Sequence, residues 1–233
     1  FHQILTPGDD YTGGKTFFAS ENNLIARIPD EEVYHKTRNP LNDECPNSLI
    51  KSLQYFLLGV AIAVNIENKV KFLSMMVHAA QENQGSKKFL NWINHLIDRW
   101  GTDLQNENNT DPTKLELLDE FKSVYDELKT NLEIIYPFDL VINEVVQVIF
   151  DLNIKLVIQG EEEINWSNST AHILVGADML NRGFTVEGLS VTYMPRYSVG
   201  KSNADTIQQR CRFFGYKNKY LSVCKVYLPN DSI

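Results

Sequence analysis

Apolar residues recur along this chain with two different periods, and the change between them is its first organising feature. Leu49, Leu53, Phe56, Leu57 and Val60 return at helical spacing behind Ser48, a residue type suited to an N-cap, and predict a helix from Leu49 to about Asn65. Phe89, Leu90, Ile93, Leu96, Ile97 and Trp100 form one stripe over Lys87–Trp100. A polar, Asn-rich loop at 102–112 follows. Leu115, Leu118, Phe121, Tyr125 and Leu128 then mark a further helix, and Val141, Val145, Val148 and Ile149 another over Phe138–Phe150.

Shorter apolar runs read as buried strands: Lys71–Ala80, Ile154–Ile158, Ala171–Gly176, Leu189–Met194 and Ser222–Leu228. A helix over about Asn203–Gly215 lies between the last two. Short apolar strands alternating with helices predict an α/β fold, a parallel sheet with helices on both faces. Residues 1–47 break the pattern with Pro7, Gly8, Gly13, Gly14, Pro29, Pro40 and Pro46, and hold one short strand at Leu24–Ile28. We expect residues 1–65 to be an irregular connector plus a helix. Residues 66–233 should form the sheet domain, with a helical insertion at about 86–150 partly separate from it.

Composition narrows the function classes. The longest apolar run, Phe56–Val64, is too short to span a bilayer, and no basic leader opens the chain, so no membrane role is expected. The first residue is Phe rather than Met, and we expect a piece of a longer protein. Three cysteines (45, 211 and 224) without a CxxC spacing argue against a disulfide framework or a zinc site and fit a reducing cytoplasm. The histidines at 2, 35, 78, 95 and 172 show no ligand spacing. The net charge is −8, yet the stretch from Arg196 to Lys225 carries +6, leaving −14 elsewhere. A small basic region on an acidic body suits a local anion site better than a broad DNA-coating surface.

The chemistry concentrates between 172 and 217. A strand runs into Asp178-Met-Leu-Asn-Arg182-Gly183-Phe-Thr185, and ligands of open α/β sheets bind outside the carboxyl ends of strands. Gly183 allows close backbone approach, and the planar fork of Arg182 suits a phosphate. In Asp205-Thr-Ile-Gln-Gln209-Arg210-Cys-Arg212-Phe-Phe-Gly-Tyr-Lys217, a helix would let Gln209 and Arg212 point at one ligand. Two other patterns are weaker. Gly14-Lys15-Thr16 ends like a P-loop, but Asp9 stands where the first Gly belongs and no apolar strand precedes it. Asp30-Glu31 after Leu24–Ile28 mimics a Walker B pair, and Pro29-Asp30 with Glu67-Asn68-Lys69 mimics a nuclease spacing; Pro29 argues for a loop instead.

The segments DMLNRGFTVEGLSV and QQRCRFFGYK resemble motifs V and VI of superfamily-two helicases. Asp178, Arg182 and Gly183 match the first; Gln209 (or Gln208), Arg210 and Arg212 match the second, with Cys211 in place of Gly and one extra residue before Gly215. The closer resemblance is to the bacterial Z-one domain family, helicase-related proteins often labelled endonucleases. It is carried by MLNRGFTVEGLSVTYMPR, ADTIQQRCRFFGY, SLIKSLQYFLLGVAIA and SMMVHAA, and spans roughly residues 7–228, with Lys217 where the family has Arg. It implies a RecA-like second lobe of an ATPase in a restriction or defence system. ATP and Mg would be held mainly by a first, N-terminal RecA-like lobe absent from this chain. In that frame Arg212 and Arg182 are the expected catalytic residues. Asp178, Gly183, Gln209, Arg210 and Lys217 would contact ATP; Thr185, Arg196 and Lys201 would contact nucleic acid, with DNA as the expected form. Two other readings compete: a protein-interaction module built on the helical region, and a metal-dependent nuclease.

Overall fold

The computed structural model describes residues 8, 11–19, 23–34, 40, 43–78, 83–157, 164–176, 185–196, 211–212 and 214–230. Among them, six strands form one sheet in the order β1-β6-β5-β2-β4-β3, and every pairing is parallel. The strands are β1 (Ile25–Ile28), β2 (Leu73–His78), β3 (Leu152–Val157), β4 (Ala171–Gly176), β5 (Leu189–Tyr193) and β6 (Lys225–Pro229). β2, β4, β5 and β6 are buried along their whole length, which explains why they read as continuous apolar runs rather than alternating ones. This is the α/β architecture of a RecA-like parallel-sheet lobe.

One face of the sheet is covered by α2 (Asn47–Val60), α3 (Asn83–Gln105), α4 (Pro112–Leu128) and α5 (Phe138–Phe150). α2 is the central helix. It touches β5 on one side and α4 and α5 on the other, so Tyr55 and Leu58 are buried along with the predicted stripe. Gly59 permits this depth: a Cβ there would meet the Val223 Cβ at 3.1 Å. Helices α3–α5 share one core with the sheet rather than standing apart, since Trp100, Phe121, Val145 and Val148 belong to the same cluster as Met75, Ile173 and Val191. The other face carries two smaller clusters. One joins Phe17, from the short helix α1 (Gly14–Phe18), to Met194, Cys211, Cys224 and Val226; the other joins Met76, Val157, Leu174 and Leu189 under Trp166 and Val186.

Several boundaries differ from the sequence expectation. The strand and helix expected within residues 1–65 are β1 and α2, and they belong to the sheet edge and the core rather than to a connector. Ser48 does not cap α2: its hydroxyl bonds the Tyr193 hydroxyl at 2.8 Å, and the Glu32 carboxylate accepts the Asn47 and Ser48 amides at 3.0 and 2.9 Å instead. α2 continues through a π-helical segment, Ala61–Ile66, into a 20-residue helix long and apolar enough to span a bilayer. However, 78% of its most apolar window is buried in the fold, so it is a core helix. Leu115 is 46% exposed, and Leu117 and Val124 take the inward places on α4. Asn218–Val223 is a 3-10 segment, so the last strand starts only at Lys225. The helix expected to reach Gly215 ends at Cys211, because Arg212 turns to φ +52°.

Candidate functional site

The strand order fixes where a ligand crevice can lie. β4 and β5 both pair with β2, on opposite sides. The chain therefore crosses β2 between them, and the order reverses there, which in open parallel sheets marks the binding crevice at the carboxyl ends. At this edge β2 ends at His78, β4 at Gly176 and β5 at Tyr193.

The surrounding backbone is tied together by its own polar groups. The Tyr34 amide donates to the Pro195 carbonyl at 2.6 Å, and Tyr34 and Arg196 form a parallel bridge. Glu32 closes the N-terminus of α2, so that helix end already holds an anion and is not open to a phosphate. Burial pushes the Tyr193 hydroxyl far above its ordinary pKa, and the nearby Glu32 charge adds to this. The tyrosine stays neutral as a partner of Ser48.

Asp178, Arg182 and Gly183 follow β4 in sequence, and Lys201, Gln209 and Arg210 follow β5; all six lie outside the described residues. Four expected site residues are described. Arg212 is half-buried, and burial draws its pKa below the usual arginine value. Just before it, the Cys211 carbonyl accepts the Thr192 hydroxyl at 3.2 Å, which anchors this helix end near the carboxyl end of β5. Thr185 is exposed on the limb that returns to β5, ahead of Val186, which packs on the Met76–Val157–Leu174–Leu189 cluster.

The other two are corrections. Arg196 was expected to contact nucleic acid, but it is only 6% exposed and all three guanidinium nitrogens are shielded from solvent. It is an internal cation beneath the carboxyl edge rather than a surface contact. Lys217 was expected to contact ATP. Its side chain is buried, its ammonium donates to the Leu189 carbonyl at the start of β5, and the Tyr220 ring lies 5.7 Å away. That is the amino edge of the sheet, opposite the crevice. Burial draws its pKa down as well.

The weaker patterns resolve in the same frame. Asp30 follows β1 at the carboxyl edge and accepts the Asn230 amide at 3.3 Å, whereas Glu67 and Lys69 precede β2 at the amino edge. A strand's length, roughly 20 Å, separates them, so no nuclease constellation forms from this set. The Gly14–Thr16 segment opens α1, whose Phe17 packs with Cys211. Thr12 pairs with Gly215 through two backbone bonds of 2.9 and 3.1 Å, so this segment folds back on the end of the second motif. Sequence reasoning missed that pairing and the Glu32 cap. The apolar pair Phe17-Phe18 was an available signal for the first; Glu32, fifteen residues before Asn47, gave none for the second.

No curated protein and no solved structure matches the chain significantly. The model of one family, described as the Z1 domain, does match, over residues 48–233. That span takes in α2, five of the six strands and the stretch bearing both motif-like segments, and the chain belongs to the Z1 domain family.

Proposed function

We propose that this chain is the second RecA-like lobe of a superfamily-two helicase-type ATPase acting on nucleic acid in a bacterial restriction or defence system. ATP with Mg lies between it and a first lobe that supplies the P-loop. The strand order carries this reading: β4 and β5 leave the sheet on either side of β2, and the segments that follow them bear Asp178–Arg182–Gly183 and Gln209–Arg210–Arg212. Of the described residues, Arg212 has the chemistry for the transferring phosphoryl group, and such an arginine contributes about 10³ to 10⁵ in rate. Lys201 and Thr185 remain the candidates for nucleic-acid contact, and binding through them should weaken steeply with salt.

The test is DNA-stimulated ATP hydrolysis by the two-lobe protein, wild type against Arg212→Ala. A loss of about two orders of magnitude or more in turnover, with ATP binding kept, is expected. Unchanged turnover would refute the assignment of Arg212. A second reading, a protein-interaction module, draws on Ile134 and Ile135, which are 57% and 65% exposed between α4 and α5. A two-lobe protein without ATPase activity would favour it.

A further inference from the structure

The second motif-like segment ends in Phe214-Gly215-Tyr216, and the fold displays these aromatic rings instead of burying them. Tyr216 is 72% exposed, more than any other large hydrophobic side chain among the described residues. Phe214 and Tyr11 are exposed as well. A ring held in water forgoes the stabilisation of burial, so its display calls for a partner.

The exposed ring is braced on one side. Thr12 and Gly215 form an antiparallel bridge through bonds of 2.9 and 3.1 Å, and the Thr12 hydroxyl donates to the Asn218 side chain at 3.4 Å. Gly215 sits at φ +140°, where only glycine is unstrained. The bridge brings the Tyr11 ring edge-on to Tyr216, with centroids 5.8 Å apart and planes at 82°. Two distant segments thus fix the ring and leave an aromatic face to solvent. The surroundings are cationic. Residues 206–230 hold Arg210, Arg212, Lys217, Lys219 and Lys225 and no carboxylate. Lys225 is matched by Glu127. Burial, with the Arg212 charge, draws the Lys217 pKa down, so these two cations are near neighbours. Their positive field favours a polyanion whose bases could lie on the ring.

The location sets this ring apart from the ATP crevice. Lys217, next to Tyr216 in the chain, reaches the Leu189 carbonyl at the amino start of β5. The exposed Thr185, already a candidate for nucleic-acid contact, leads into the same end of β5. Tyr216 and Thr185 therefore approach one end of that strand, and the crevice lies at the other. We propose that Tyr216, braced by Tyr11, is a stacking platform for a base of single-stranded nucleic acid. The partner is a strand rather than a duplex, because unpaired bases offer an open face. The inference rests on the reading that this chain acts on nucleic acid, and it names a base contact for it.

The test is fluorescence anisotropy of the 233-residue chain with two labelled strands at low salt. One is oligo(dT) of about 12 nucleotides; the other has the same length and phosphates but abasic sugars. Wild type should bind oligo(dT) about tenfold more tightly than the abasic strand, and Tyr216→Ala should lose that advantage and bind both alike. Tyr216→Phe keeps the ring and should bind oligo(dT) as wild type does. Tyr216 is exposed, so both variants keep the fold, which circular dichroism checks. Equal binding of the two strands by wild type, undiminished binding by Tyr216→Ala, or no binding of either strand overturns the proposal. ATP binding weakened by Tyr216→Ala, with oligo(dT) binding unchanged, overturns it in favour of an adenine site. DNA-stimulated ATPase activity in the two-lobe protein, without base-dependent binding by this chain, refutes the platform and leaves the motor standing. Base-dependent binding lost in Tyr216→Ala, with no ATPase activity in the two-lobe protein, refutes the motor and supports the platform.

Discussion

On the proposed reading Arg212 has two separable roles, in the ATP site and at a helix end, and glycine and alanine at that position pull them apart. The residue sits at φ +52°, where an L side chain is strained by contact of its Cβ with the following carbonyl, at about 1–2 kcal/mol. Arg212→Ala removes the guanidinium and keeps the Cβ, so the strain remains. Arg212→Gly removes both. Glycine also loosens the unfolded chain, which offsets roughly 0.5–1 kcal/mol of the relief. The glycine variant should therefore be more stable than the alanine variant by about 0.5–1 kcal/mol, or roughly 1–4 °C in Tm for a domain of this size. Both lose the same half-buried stem, so that term cancels between them. Thermal unfolding of the chain by circular dichroism gives the stabilities, and ATP hydrolysis by the two-lobe protein gives the activities. Both variants should be equally inactive while differing in Tm. A glycine variant that melts at or below the alanine variant refutes the strain argument. A glycine variant that keeps turnover shows that Arg212 only ends a helix.

Glu32→Gln should lower stability by about 1–2 kcal/mol in urea unfolding, because the charge closing the N-terminus of α2 is lost while a weaker acceptor stays. Lys217 titrates lower in the folded state than in the unfolded one, where its pKa is about 10.5. Between those two values the unfolded chain binds more protons, so Lys217 makes stability rise as pH climbs through that window. Lys217→Met should remove this slope; unfolding measured in parallel from pH 7 to 9.5 checks it, and identical slopes would contradict it. Burial pushes the Cys224 thiol up to about 11 and the Cys45 thiol up to about 12. At pH 8 each is thiolate in about one molecule per thousand or fewer, so a disulfide reagent should label the native protein slowly and the urea-unfolded protein at all three cysteines. Rapid labelling of the native chain would refute this.

The periodic segments were legible because their burial is simple. Phe138–Phe150 is a helix at its expected bounds, and the apolar runs at Lys71–Ala80 and Ala171–Gly176 hold the inner strands β2 and β4 of a parallel sheet. Between those strands and helices, tertiary partners decided the outcome. Ser48 has the composition of a cap, but a carboxylate sixteen residues earlier reaches the same amides and leaves the serine to Tyr193. Ile25–Ile28 was expected as a short strand, but its place at the sheet edge comes from its pairing with β6. The π-helical extension of α2 has no sequence signature of its own. Within it Asn65 donates to the Glu144 carboxylate at 3.0 Å, a tertiary contact that the chain's periodicity does not reveal.

The cation cluster at 196–225 shows why charge density in sequence is a poor guide to one binding site in this fold class. In an all-parallel sheet, each connection between strands must travel from the carboxyl edge back to the amino edge. The stretch from Tyr193 to Lys225 is one such connection, so its cations are spread along the return path. Arg196 leaves β5 and is buried near the carboxyl edge; Arg212 ends a helix near the carboxyl end of β5; Lys217 reaches the first carbonyl of that strand. Lys225 starts β6 with its ammonium buried against Glu127 and the Asn23 carbonyl. Three of these four cations are enclosed, so they serve internal pairing rather than a shared polyanion. The anion-binding potential of the stretch therefore narrows to Arg212, the exposed Lys219 and the residues between 197 and 210, and substitutions of Arg196, Lys217 or Lys225 should act on stability before they act on any ligand.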